Sequence, residues 1–338
     1  MSFYDRMEEL YGLPAFTFPA REAATVLPAP DAVAWRINGQ PDAVVWRSTV
    51  GEPLPEEESW DEAFDRFCAE VDTTRVPALI VGSWDDPLDT DPSQAIESLL
   101  AARDRLPALR SLFLGDIVGE EAEISMISQT DVTPLLAGFP ALEEFGVRAG
   151  EGNSMGEVLR LRFPALRHDA LRRLTVQSGG LRADVVRGVG ASELPALEHL
   201  DLWLGISEYG SDCTVADLEP ILYGDRLPRL RHLALRNSEI QDEIAAALAS
   251  APVVARLDVL DLSMGTLSDD GAAALLEGQP LTHLKKLDLH HNFLSEPFRQ
   301  RIRETLEPAG VEVDLDRGDA EPDADDDDTV QRYVAVAE

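Results

Sequence analysis

The sequence predicts an α/β repeat fold in which short parallel strands line one curved surface and helices pack behind them. A phrase of the form L-x-x-L-x-L recurs eight times, at steps of 33, 33, 29, 26, 33, 27 and 27 residues. Within each copy, apolar and polar residues alternate as they do in a strand with one buried face. Between copies lie segments of helical spacing, such as Ile240 to Leu248 (IQDEIAAAL) and Asp270 to Leu276 (DGAAALL). A strand, a crossover helix and the next parallel strand cannot bury their apolar face alone. Neighbouring units must therefore stack into one quasi-one-dimensional body. Length alone, at 338 residues, suggests about two compact domains; the repeat overrides that expectation.

Residues 1 to 72 lack the repeat. Val33 to Ile37 (VAWRI) and Val44 to Val50 (VVWRSTV) alternate like strands around a turn-rich NGQPD, and Ser59 to Val71 carries apolar residues at helical spacing. This region is expected to cap the open end of the stack; an independent ligand-binding domain is the alternative. The repeats follow as VPALIV from Val76, LRSLFL from Leu109, LEEFGV from Leu142 and LRRLTV from Leu171. LEHLDL from Leu197, LRHLAL from Leu230, LDVLDL from Leu257 and LKKLDL from Leu284 complete them. Val311, Val313 and Leu315 read as a closing strand, so the repeat region is expected over 73–316. Residues 317–338 run through AEPDADDDD, which is too polar to fold and is expected to be disordered. Tyr333 to Val336 (YVAV) alternates again. It is either a loose tail end, or a short strand that folds back on an exposed edge or docks on a partner.

The stretch LDVLDLSMGTLSDDGAAALL, from Leu257 to Leu276, resembles a ribonuclease-inhibitor-type leucine-rich repeat, as does LKKLDLHHNFLSEPFRQRIRETL from Leu284 to Leu306. The resemblance covers residues 76 to 316. It implies a leucine-rich-repeat solenoid: a curved parallel sheet on the concave side, helices on the convex side, and an N-terminal α+β cap. The family favours Asn or Cys three residues after the last strand leucine. Asn292 fits, but Gly205, Ser238 and Gly265 hold that position elsewhere, so the turns are expected to be irregular. The whole chain is also similar to leucine-rich-repeat proteins of high-GC bacteria, a resemblance that supplies no function.

Sixty-three acidic residues against 29 basic ones give a formal charge of -34. Such a field repels phosphate backbones and excludes nucleic acid as a general partner. The only cysteines, Cys68 and Cys213, form neither a disulfide framework nor a C-x-x-C metal pair. The N-terminus has no basic region followed by an apolar run, and no stretch approaches the roughly 18 apolar residues of a membrane span. A cytoplasmic protein without membrane contact is expected.

The strand leucines point to the core, so the residues between them point out and align in rows. One row reads Ile80, Phe113, Gly146, Thr175, Asp201, Ala234, Asp261, Asp288; the next reads Gly82, Gly115, Arg148, Gln177, Trp203, Arg236, Ser263, His290. His199, His232, Val259 and Lys286 lie two positions before the first row. A bare sheet face needs neither an outward Trp nor paired Asp, and Trp beside Arg commonly anchors interfaces. The candidate partner-binding residues are therefore His199, Asp201, Trp203, His232, Arg236, Asp261, Lys286, Asp288 and His290. Three insertions directly follow a strand: SWDDPLDTDPS from Ser83, GDIVGEEAEISMISQTD from Gly115 and GISEYGSDCT from Gly205. They are expected to form an acidic rim, the second candidate surface.

Catalytic readings lack a constellation. There is no G-x-G-x-x-G, Walker or H-E-x-x-H motif, and His290 and His291 should point to opposite faces. Asp85, Asp86, Asp89 and Asp91 lack the Gly and distal Glu of an EF-hand loop. No catalytic residue, metal or cofactor is expected. The sequence favours a non-catalytic protein-interaction module (scaffold, adaptor or inhibitor) whose partner is an unknown protein, an acidic inner surface favouring a basic one. Its rivals are a small-molecule or metal-dependent enzyme using the Asp/His cluster and a self-associating structural protein.

Overall fold

The computed structural model describes residues 5–21, 25–39, 58–84, 86–154, 157–321, 323–324 and 330–337. The expected VVWRSTV strand lies outside them. Two compact units, Met1–Arg162 and Phe163–Glu338, make up the chain.

In the first unit, β1 (Glu9–Leu10) turns back antiparallel on β2 (Leu13–Thr17). The turn uses Tyr11 and Gly12 at φ 58° and 70°, left-handed values that glycine adopts freely. From β2 the sheet runs parallel through β3 (Ala34–Ile37), β4 (Ala78–Val81), β5 (Ser111–Leu114) and β6 (Glu144–Ala149). The crossover helices are α1 (Trp60–Glu70), α2 (Ser93–Ala101) and α3 (Thr133–Gly138). Helix α1 begins where Ser59 and Glu62 exchange side-chain and backbone hydrogen bonds in a capping box. It buries Trp60, Phe64 and Phe67; the Phe67 ring lies 5.4 Å from that of Trp35 on β3. A further antiparallel hairpin, β7 (Glu151–Ser154) with β8 (Glu157–Arg160), follows β6.

In the second unit, parallel strands β9 (Arg173–Ser178), β10 (His199–Gly205), β11 (His232–Ser238), β12 (Val259–Asp261), β13 (Lys286–Asp288) and β14 (Glu312–Asp314) pair in chain order. Between them lie α4 (Ala183–Ala191), α5 (Val215–Tyr223), α6 (Gln241–Leu248), α7 (Asp269–Glu277) and α8 (Glu296–Leu306). Leu174, Leu200, Leu233, Leu260 and Leu287 stand in one register row and are at most 1% exposed. Each such leucine contributes about 1.5–3 kcal/mol by burial. A two-residue hairpin of β15 (Asp323–Ala324) and β16 (Val330–Gln331) comes last. The mixed α/β architecture is a leucine-rich-repeat fold.

Two strand-to-turn carbonyls find side-chain amides where the Asn position is vacant. Asn292 donates to Leu289 O at 2.7 Å and accepts from Leu294 N at 3.0 Å, as the family pattern implies. In the repeat where Ser238 replaces it, Gln241 reaches Leu235 O from three residues further on, at 2.9 Å. Gln129 does the same for Arg148 O at 2.9 Å. Irregular sequence has been met by a different residue supplying the same donor, because a buried carbonyl without one costs about 1–3 kcal/mol.

Candidate interaction surface

The helix-free faces of the two units differ. In the first, Ile80 and Phe113 pack with Met7, Leu10, Ala34 and Ala78 in one buried cluster, so the N-terminal segment covers the outward row. An ion pair buried beneath it fixes the cover: Arg36 Nε donates to Asp116 Oδ2 at 2.7 Å. The Asp116 Oδ1 accepts from Met7 N at 3.2 Å, and the Arg36 guanidinium also donates to Met7 O. The apolar identity of Ile80 and Phe113 was a signal that something must lie on them.

The acidic-rim expectation changes for the same unit. Asp116, Ile117, Ile124 and Ile127 of the insertion after β5 are buried. This insertion holds the loop after β4 through Ser128 N to Pro87 O at 2.7 Å and Ser128 Oγ to Leu88 O at 2.8 Å. Asp86 and Asp91 accept backbone N–H groups of their own loop, from Leu88 at 3.1 Å and Ser93 at 3.0 Å. Their carboxylates hold turns.

In the second unit the expected rows form in register. Asp201 pairs with Ala234, Ala234 with Asp261, Asp261 with Asp288, and Asp288 with Asp314, a member the sequence reading missed. His199 and His232 stand side by side with ring centroids 3.9 Å apart. Trp203 does pair with Arg236, whose guanidinium lies 5.2 Å from the indole ring. It is not an outward anchor, however: its exposure is 0%. Neighbouring strands are only about 4.8 Å apart, so one large side chain on a sheet face is screened by those beside it. Single-residue patterning does not register this.

Arg236 is the hub. It grips Asp201 with two hydrogen bonds, Nε to Oδ1 at 3.0 Å and Nη2 to Oδ2 at 2.7 Å, and lies 3.6 Å from Asp261. Asp261 also accepts from Ser263 N at 2.9 Å and Ser263 Oγ at 2.5 Å. Asp288 receives Lys286 Nζ at 2.9 Å and His290 Nδ1 at 2.7 Å. Asp261, Asp288 and Asp314 each accept the N–H two residues on, from Ser263, His290 and Asp316. Part of their purpose is thus to close the strand ends.

The charges follow from these contacts. Burial pushes Asp261 up; Arg236 opposes this and Asp288 adds to it. Burial pushes Asp288 up too, but hydrogen bonds from His290 and Lys286 outweigh it and hold the carboxyl low. His290 is raised by its bond to Asp288 against the effect of burial. Burial, then His232 and the nearby Arg173 and Arg236, lowers His199 to about 3; burial, partly offset by Asp201, lowers His232 to about 4. At neutral pH the histidine pair is therefore uncharged.

Among the described residues, Asp288, His290 and Asp314 form a group whose potential ligand atoms lie within 4.8 Å of one another. Both Asp288 oxygens already bind cationic or N–H donors, so the set works as an ion-pair network and does not fit a metal. His291, beyond the strand end at φ 51°, turns away to Tyr333 O. Burial raises the Cys68 thiol and pushes the Cys213 thiol up to about 12, away from the reactive thiolate form. Two cavities, of about 80 Å³ beside Trp60 and Trp84 and about 300 Å³ beside Leu106 and Phe139, contain no residue of the Asp/His cluster.

Similar proteins bear on the fold. The chain is similar to a protein of Bacteroides fragilis of known crystal structure, with 27% identity and a TM-score of 0.68 over 75% of this chain and 70% of that one. It is also similar to an internalin of Listeria monocytogenes, at 14% identity and a TM-score of 0.38, over 71% of this chain and 54% of the internalin. No family model matches, and no curated protein matches. Among the described residues no helix is long and apolar enough to cross a membrane.

Proposed function

We propose that this chain is a non-catalytic protein-interaction module, a scaffold, adaptor or inhibitor, that takes a basic segment of a partner protein on the helix-free face of its second unit. The observation that carries this reading is the run of Asp261, Asp288 and Asp314 in consecutive register, bordered by Glu312, whose side chain is 74% exposed. Among the described residues, Arg236 reaches Asp261, and Lys286 and the 36% exposed His290 reach Asp288. An incoming Arg or Lys can take over contacts that Lys286 now makes, and the negative field favours its approach. In the first unit the corresponding face is filled by Met7 and Leu10, which is why the second carries the proposal. Residues 1–72 then act as the cap of a repeat region spanning 73–316.

Trp203 and Arg236 are poor reporters of binding, because Trp203 is buried, Arg236 is tied to Asp201, and their removal would unsettle the fold. Lys286, His290, Glu312 and Asp314 are the reporters. Random peptides displayed against the full-length chain should return sequences rich in Arg and Lys, and the recovered peptides should shift the backbone resonances of these four residues. Recovery of neutral or acidic peptides that leave those resonances unmoved would sink the proposal. The enzyme reading makes a different prediction, specific heat on titrating zinc or manganese, abolished by Asp288→Asn.

A further inference from the structure

Among the described residues of the second unit, three hold left-handed backbone conformations without being glycine: Asn237, Met264 and His291, at φ 55°, 67° and 51°. Each stands two residues after the last leucine of its repeat, Leu235, Leu262 and Leu289. Their N–H groups extend the sheet ladder into the next repeat, to Ser263 O, His290 O and Asp316 O at 2.9, 2.9 and 2.7 Å. The left-handed turn leaves one polar group of each residue facing outward. All three groups are occupied by the C-terminal segment. His291 Nε2 donates to Tyr333 O at 3.1 Å, and Met264 O accepts from Ala335 N at 2.8 Å. Asn237 grips Val336 at both ends, accepting its N–H at 3.0 Å and donating to its carbonyl at 2.5 Å.

The side chains of the segment are seated as well. Arg332 bonds Asp242 Oδ2 and Thr266 O, each at 2.8 Å. The Tyr333 ring meets Phe293 edge-on at 5.5 Å, and Val334 and Val336 are 6% and 7% exposed. Main-chain hydrogen bonds at successive repeats with side-chain contacts between them are how extended peptides are recognised at sheet edges. The segment runs against chain order, from the corner after β13 to those after β12 and β11. It lies beyond an acidic run that includes Asp325 to Asp328.

We infer that the corners at Asn237, Met264 and His291 form a peptide-binding groove for an extended Arg–aromatic–β-branched–small–β-branched segment. The chain's own residues 332–336 fill it at rest, and a partner protein carrying the same pattern displaces them. Charge argues against a second copy as the occupant: at -34 per chain, two copies repel. The groove is separate from the acidic face, so the inference stands or falls independently of the function proposed above.

The test uses the full-length chain carrying Val334→Asp and Val336→Asp, which leaves every groove residue intact, and the labelled peptide QRYVAVAE. Fluorescence anisotropy should show the peptide binding this variant at least about tenfold more tightly than wild type, whose tethered segment competes at high effective concentration. Adding Asn237→Ala should remove about tenfold of that affinity, and a scrambled peptide should not bind. No preference for QRYVAVAE over the scrambled peptide, in a variant that melts like wild type, overturns the inference. Should the variant not fold, amide exchange on the wild type decides. Ala335 and Val336 should be protected, yet exchange faster than Leu233 and Leu235. Exchange at the free-peptide rate, or only through global unfolding, overturns the groove. A wild-type dimer abolished by the two Asp substitutions assigns the groove to a second copy and overturns the partner.

Discussion

Arg236 joins two buried carboxylates, Asp201 and Asp261, whose side chains are each 9% exposed. Removing one partner of a buried ion pair leaves the other charge without compensation. Arg236→Met is therefore expected to cost about 3 kcal/mol at neutral pH, read from urea unfolding. The same loss in Asp201→Asn/Arg236→Met as in the single variant would show that Asp201 is not its working partner. His199 and His232 make a pH prediction. Their folded values, about 3 and about 4, lie below the ordinary 6.5, so the unfolded chain binds protons first. Stability present above pH 6.5 is lost as the pH falls toward 4. The urea midpoint should fall between pH 7 and pH 5, and His199→Gln/His232→Gln should flatten that decline; an unchanged slope would contradict the burial of the pair. The sequence placed these two histidines side by side because parallel strands keep register. It could not show their burial, which depends on everything packed around the rings.

Among the elements, strands were the most legible, since a period of two with leucine inward has few readings. The turns were less so. Gln241 lies outside the family's Asn position, yet it does the same work as Asn292. Gln241→Leu and Asn292→Leu are thus expected to destabilise by similar amounts, about 1–3 kcal/mol each, by urea unfolding. A negligible cost at Gln241 alone would mean that Leu235 O finds another donor. The β7–β8 hairpin follows a repeat strand and had no separate signature beside it. The docking of Tyr333 to Val336 was equally hidden, because most of its bonds involve backbone atoms that no side-chain pattern records. What the sequence did offer was the renewed alternation of YVAV after a run of aspartates.

For the molecule as a whole, the leucine-rich-repeat fold was legible from eight phased copies, and the candidate face from the alternation within them. Which face stays open was not legible. Met7 and Leu10 reach Ile80 and Phe113 from more than one strand away, a contact between segments distant in sequence. A charge of -34 also acts on the whole chain. Raising salt from about 10 mM to about 150 mM shortens the screening length from about 30 Å to about 8 Å, so self-repulsion weakens and the melting temperature should rise. A fall would mean that attractive pairs such as Arg36–Asp116 outweigh the repulsion.

The central claim is that the second unit's acidic face takes a basic partner segment. Its most direct test is the affinity of the selected Arg- and Lys-rich peptides for the full-length chain and for Glu312→Lys/Asp314→Lys, measured by calorimetry at low and at physiological salt. The account predicts at least about a tenfold loss in the double variant, and weaker binding to the wild type as salt is raised. Equal affinity for both chains, with the variant melting like the wild type, would contradict it.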